Sequence, residues 1–263
     1  MKGYLAILRG RLLALLQYRS AVMAGLVTQI FWGIIKIMIL TAFYAQSTSS
    51  EPITLSQAIT FIWIGQALLQ LLPWNVDKEL EMQVKNGNIA YELLRPLNLY
   101  GLIFSRALAM RLLPTLLRSI PVIILAGLFL ELSAPVSWAA GMAFGASLVN
   151  ATLLSTAMTT MVIISLFWTI SGEGIQRLIP HVTMLLSGMV VPLPLFPEWM
   201  QPFLNLQPFR GILDIPSRIY TGVIPIAEIH YYLGFQLIWF LFFVASGKYL
   251  IEKAMKRFVI QGG

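Results

Sequence analysis

Long apolar runs separated by short polar ones dominate the chain. Mostly apolar stretches occupy about residues 21–44, 57–75, 112–130, 137–170, 175–196 and 231–251. Each approaches the roughly 20 helical residues needed to cross a hydrocarbon layer about 30 Å thick, so the pattern predicts six membrane-spanning helices. The fourth and fifth are separated only by Ser171, Gly172, Glu173, Gly174, Gln176 and Arg177. Five spans are the alternative, and would place the C-terminus outside. Before the first span, Leu5, Leu8, Leu12, Leu15 and Leu16 fall on one helical face, flanked by Lys2 and Arg9 on one side and Arg11 on the other. That pattern suits an interfacial helix over residues 1–20 whose basic side chains reach lipid headgroups; a plain cytoplasmic extension of the first span is the alternative. The apolar run from Ala21 to Phe43 is too long for a signal-peptide core and is expected to stay as an anchor.

Two stretches break the apolar pattern. NVDKELEMQVKNGNIAYELLRPLNLY, from Asn75 to Tyr100, predicts a short helix, a turn at Asn86-Gly87-Asn88 and a second short helix stopped before Pro96. A connector of this length with two ordered elements is expected to touch something. Half of the 14 prolines fall between Pro192 and Pro225, interleaved with Phe196, Trp199, Phe203, Phe209 and Tyr220. No helix runs through such a segment. The aromatic content fits the membrane–water boundary, and residues 192–230 are expected to form short helices that dip into the outer face or lie on it. Irregular backbone at that depth is tolerated where it is buried in protein or lines a cavity.

Composition turns this pattern into a statement about solvent. With 58% hydrophobic residues, 11% charged and a mean hydropathy of +0.78 over 263 residues, a soluble globule could not hide its apolar surface. The 18 basic and 11 acidic side chains are too few and too clustered for a nucleic-acid binder, so no nucleic-acid partner is expected and the net charge of +7 is read as topology. Lys2, Arg9, Arg11 and Arg19 precede the first span. Lys78, Lys85, Arg95, Arg106 and Arg111 lie between the second and third, and Lys248, Lys253, Lys256 and Arg257 follow the sixth. Basic residues accumulate on the cytoplasmic side, which puts both termini there and leaves Arg210 and Arg218 outside.

The chemistry-bearing residues point away from catalysis. The absence of cysteine excludes disulfides, thiolate metal sites and a cysteine nucleophile, and His181 and His230 are too few for a histidine-rich metal centre. No phosphate loop, zinc helix or nucleophile elbow is present. The only aspartates, Asp77 and Asp214, are assigned to opposite sides of the bilayer, which argues against an intramembrane protease. Lys36 lies inside the first span, where a charge costs about 2.5–3.5 kcal/mol at mid-depth; it either snorkels in a structural role or lines a cavity. Arg118 reads as a snorkelling anchor. Gly141 and Gly145 stand in G-x-x-x-G spacing, followed by Ser147, Asn150, Ala151, Thr152, Ser155, Thr156, Thr159 and Thr160. This stripe suits close helix packing, with a polar translocation surface as the sharper alternative. His181, beside Pro180, reads as a packing residue.

Taken in order, these elements resemble a type-2 ABC transporter permease. Two stretches carry the resemblance: NGNIAYELLRPLNLY at Asn86 to Tyr100, with a glycine turn and an L-L-R-P pattern, and SGMVVPLPLFPEWMQPFLNLQPFRGILDIPSRIYTG at Ser187 to Gly222. The second follows G-x-x-x-P-L, F-P-x-W, a P-F pair and a P-x-x-x-Y-x-G ending. The architecture covers essentially the whole chain, as a single transmembrane domain of residues 1–263.

The resemblance implies an all-α integral membrane protein of six transmembrane helices, with an N-terminal interfacial helix and short outer re-entrant helices between spans five and six. It implies a dimer with a second permease, identical or homologous, in a bacterial inner membrane. Separate ABC ATPase subunits would carry ATP and Mg, leaving this chain non-catalytic and without a cofactor of its own. The coupling element maps onto the loop 76–100, with Glu79, Glu81, Lys85 and Tyr91 as ATPase contacts. The outer gate maps onto Pro192, Pro194, Pro197, Trp199 and Phe209. Substrate would pass Gln29, Gln66, Gln70, Thr183 and Ser187 on the first, second and fifth spans. Export is the expected direction, with amphipathic or lipid-like cargo. A non-transporting scaffold is one alternative. An ion-coupled transporter is another, and it calls for acidic residues at membrane depth that the six span cores lack.

Overall fold

The computed structural model describes residues 2–15, 19–47, 51–73, 76–94, 97–169 and 173–256. Leu16, Asn75, Arg95, Pro96, Ser171, Gly172 and Arg257, which entered the sequence argument, lie outside the described residues. Every regular element among those described is helical.

Among the described residues, four helices are long and apolar enough to cross a membrane. They are α2 (Arg19–Gln46), α6 (Leu99–Phe129), α7 (Trp138–Ser165) and α11 (Ile229–Met255). The other two predicted spans are shorter than expected. Helix α3 (Leu55–Ala67) starts from a capping box in which Thr54 accepts from the Gln57 amide and Gln57 bonds back to the Thr54 amide. It gives way to a 3-10 turn at Leu69–Leu71, because Leu72 precedes Pro73 and takes an extended conformation. Helix α8 (Glu173–Leu186) stops short of 196 because Gly188 adopts φ +88° and Pro192 follows. Lengths of 13 and 14 residues give about 20 Å each, less than a hydrocarbon layer.

The third span differs in the other direction. Sequence hydropathy starts it near residue 112, whereas α6 begins at Leu99, where the Asn98 side chain accepts from the amides of Tyr100 and Gly101. Arg106 and Arg111, read as loop charges, are therefore helical and buried. Their cost is met by partners. Arg106 Nε lies 2.7 Å from Asp77 Oδ2, and the Arg111 guanidinium donates to Thr159 Oγ1 at 3.0 and 3.2 Å and to the Gln70 carbonyl at 3.3 Å. Pro114 and Pro121 sit inside α6 without ending it.

Helix α7 is the centre of the bundle, packed against α11, α6 and α10 (Asp214–Tyr220). Two-thirds of its apolar window is buried (67%), against 17–22% for the other three long helices. Its polar stripe is consumed by packing. Ser147 donates to Gln236 Oε1 at 3.1 Å, Asn150 to the Leu233 carbonyl, and Ser155 to the Leu71 carbonyl. Thr152, Thr156 and Thr160 bond carbonyls one turn back on α7 itself. The G-x-x-x-G pair makes no close approach: a Cβ on Gly145 would meet nothing within 4 Å, and one on Gly141 only Pro135 at 3.6 Å.

Helix α1 (Lys2–Leu15) packs along α6. Tyr4 Oη accepts from the Asn98 amide at 2.8 Å and Ile7 joins the cluster around Leu80, Ile103 and Ile163, while Leu5 is exposed. The face that docks is thus Tyr4 and Ile7 rather than the leucine stripe alone. Beyond α3 lies the helix–turn–helix foreseen from the sequence: α4 (Lys78–Lys85), a turn through Gly87 at φ +73°, and α5 (Ile89–Leu93). The proline-rich segment holds 3-10 turns, α9 (Gln201–Leu206) and α10, at the end of the bundle opposite α4 and α5.

Candidate functional site

A cavity of about 660 Å³ opens between α2, α3, α8 and the chain just after α8. Its wall on α2 follows one helical face, Gly25, Thr28, Gln29, Trp32, Ile35, Lys36, Ile39 and Leu40, at the i, i+3/i+4 spacing of a single stripe. Ile62, Gln66 and Leu69 supply the second wall; Met184 and the run from Met189 to Pro192 supply the third. The surface is mostly apolar, with a few placed polar groups, as ligand cavities are. Gln29 is almost fully buried; its Nε2 donates to the Gln66 carbonyl at 2.9 Å and its Oε1 has no hydrogen-bond partner among the described residues. Lys36 donates to the Met189 carbonyl at 2.6 Å, tying α2 to the bend after α8. Arg118 reaches in from α6 and lies across Gly25, where a Cβ would stand 2.5 Å from its Cζ. Lys36 thus fills both roles considered for it, and Arg118 lines a cavity.

Of the residues expected along a substrate path, Gln29 and Gln66 line this cavity; Pro192, expected in the outer gate, lines it too. Thr183 and Ser187 are fully buried on α8 and just beyond it, with hydroxyls unpartnered among the described residues, and do not line it. Gln70 is half-buried and lends its carbonyl to Arg111. Lys36, Arg118 and Trp32 were missing from the expected path. The stripe on α2 was the signal available for Lys36 and Trp32, since it places glycine, glutamine, tryptophan and lysine on one face; for Arg118, on α6, the sequence held no such signal.

At the α4 end, charges form a cluster. Asp77 caps α4 by accepting from the amides of Glu79 and Leu80, and pairs with Arg106 at 2.7 Å and Arg11 at 3.9 Å. Burial pushes the Asp77 carboxyl above its ordinary range, against the pull of Arg11 and the Leu80 amide. Glu79 bridges the same two arginines, so it joins α1, α4 and α6. Glu81 and Lys85 pair with each other at 2.8 Å one turn apart. Tyr91 is exposed, together with Met82 and Leu94, the last at 82%. Met82 and Leu94 went unnoticed in the sequence because two isolated apolar residues carry no periodicity; their exposure shows only in the fold.

The proline-rich segment is cross-tied. Gln207 accepts from the Phe209 and Arg210 amides and donates to the Leu186 carbonyl at the end of α8. Asp214, wholly buried, lies 3.5 Å from both Arg210 and Arg218, so the three charges assigned outside the bilayer neutralise one another in part. Gln236 of α11 donates to the Gly211 carbonyl at 2.7 Å. Pro192 and Pro197 cap successive 3-10 turns, with Pro194 inside the first; Trp199 is 78% exposed, and Phe209 packs into the main core. His181 bonds the Arg177 carbonyl on its own helix and is exposed.

The family model of the ABC-2 family transporter protein matches residues 30–262. That is most of the chain, and the protein belongs to this family of membrane transport components. The match begins inside α2, so α1 lies outside it. No curated protein and no solved structure matches the chain.

Proposed function

We propose that this chain is the permease subunit of an ATP-driven exporter, pairing with a second permease and powered by separate ATPase chains that carry ATP and Mg. The single observation that carries this reading is the cavity beside α2: a mostly apolar chamber with a few buried polar groups, bounded by helices whose remaining apolar surface is exposed. In this reading α3 and α8, with their flanking turns, complete six crossings in a bacterial inner membrane with both termini in the cytoplasm. Loop 76–100 faces the cytoplasm and the proline-rich segment faces outward as a gate.

The exposed Met82, Tyr91 and Leu94 offer the ATPase an apolar contact, and the Glu81–Lys85 pair on α4 supplies charge to its rim. Glu79 acts behind that surface, transmitting displacement of α4 to α1 and α6 through Arg11 and Arg106. Closure of the ATPases would then tilt α6, whose Arg118 lies on the cavity. Such coupling requires contacts that differ between two states at both sites.

Because the chain has no native cysteine, single cysteines give a direct test of topology. Residues 87 and 253 should react with an impermeant thiol reagent only from the cytoplasmic side, and residues 134 and 199 only from the other. For function, the permease is co-purified with its ATPase and hydrolysis is measured with candidate compounds. Tyr91→Ala combined with Leu94→Ala should abolish co-purification. Hydrolysis by the permease alone, or transport that follows an ion gradient without ATP, would sink the proposal.

A further inference from the structure

Resting on the pathway reading above, we infer that the cavity beside α2 is a binding site for an anionic amphiphile, its acidic headgroup held by Lys36 or Arg118 and its tail lying along the apolar wall between them. Both cations line the cavity, and among the described residues no acidic side chain does. Lys36 is held by a backbone carbonyl, a neutral partner that leaves its positive charge uncancelled. A charged side chain is costly at membrane depth, and such residues mark ligand paths when they face a cavity. The two are set apart along the wall. Arg118 covers Gly25, and the 11 residues from there to Lys36 rise about 16 Å along α2. On α2, Trp32 and Ile35 line that interval with apolar surface, and Leu69 and Met184 add apolar surface to the facing walls of the cavity. The volume of about 660 Å³ suits a single-chain or small two-chain molecule. The buried Gln29 Oε1, unpartnered among the described residues, adds an acceptor midway, fit for a hydroxyl or amide of the ligand. An organic cation would meet cationic side chains at both ends of the cavity.

The test uses the full permease–ATPase complex in phosphatidylcholine vesicles, with photoactivatable dodecyl probes that differ only in headgroup: phosphate, phosphocholine or trimethylammonium. Adducts are mapped by peptide mass spectrometry. Dodecyl phosphate should label residues 25–40 and 184–192 about tenfold more than the trimethylammonium probe, a difference equivalent to about 1.4 kcal/mol. Lys36→Gln and Arg118→Gln should each reduce this labelling, and together bring it to the phosphocholine level, whereas Lys36→Arg should retain it. Equal labelling by all headgroups, or preference for trimethylammonium, overturns the inference; if labelling in those cases falls when ATP is hydrolysed before irradiation, the pathway reading survives without it. Preferential phosphate labelling that ATP leaves unchanged supports the anionic site as a seat for a resident lipid and overturns the pathway reading. Preferential phosphate labelling that falls when ATP is hydrolysed before irradiation identifies the ligand as cargo.

Discussion

Helices α7 and α2 are both apolar, long and dotted with polar residues, yet those residues do opposite things. On α7, Ser147, Asn150, Ser155 and Thr159 bond groups on α11, the turn after α3 and α6. On α2, Gln29 and Lys36 bond only carbonyls at the edge of a cavity, while Val27, Phe31, Met38 and Ile39 are exposed. Polar residues in a membrane helix are therefore of two kinds, distinguished by whether neighbouring helices satisfy them. The first kind holds the bundle together; the second is left facing something outside the chain.

Substitutions can separate the two kinds. The largest effect is expected beside α7 at Asp214→Ala, which leaves Arg210 and Arg218 without their shared counter-ion; breaking such a buried pair costs about 3–5 kcal/mol, measurable as a lower unfolding midpoint in lipid nanodiscs. Next is Arg111→Met, which removes the tie to Thr159 and the Gln70 carbonyl. A loss of about 2–3 kcal/mol is expected, and an unchanged midpoint would remove α7's status as the structural partner. On α2, Gly33→Ala drives a Cβ to 2.5 Å from the Trp63 ring, whose Nε1 donates to the Leu130 carbonyl. About 1–3 kcal/mol of overpacking is expected, seen as a lower midpoint and altered tryptophan fluorescence. Gln29→Leu should move stability least, by about 1 kcal/mol, while changing ligand-stimulated ATP hydrolysis in the assembled complex. Should it instead match Arg111→Met in stability and leave stimulation intact, the contrast between the helices would be lost.

Much of this was legible from residue order. The ends of α2 and α11, the turn at Gly87 between two short helices and the broken chain after Pro192 all follow from apolar run length and from glycine and proline chemistry. The start of α6 was not. Arg106 and Arg111 lowered the local hydropathy, and nothing adjacent in sequence reveals that Asp77 and Thr159, 29 and 48 positions away, offset their charge. Nor could G-x-x-x-G spacing announce that Gly145 has no neighbour, since a small residue permits an approach without requiring one. At the cavity, Gln29 and Gln66 were accessible as polar residues on apolar helices. Arg118 was harder to assign, because snorkelling and cavity lining look identical until Gly25 is seen beneath it.

The ties that Gln207 makes to both the end of α8 and the turn before Arg210, together with Gln236 holding Gly211, fasten the proline-rich segment to α8 and α11. Its two margins are Gly188 and Gly222, both with positive φ and so both at positions where side chains other than hydrogen are strained. Because the segment is fastened at Leu186 and at Gly211, a side chain forced in at Gly188 or Gly222 would be felt by α8 and α11 as well as by the irregular backbone between the two glycines.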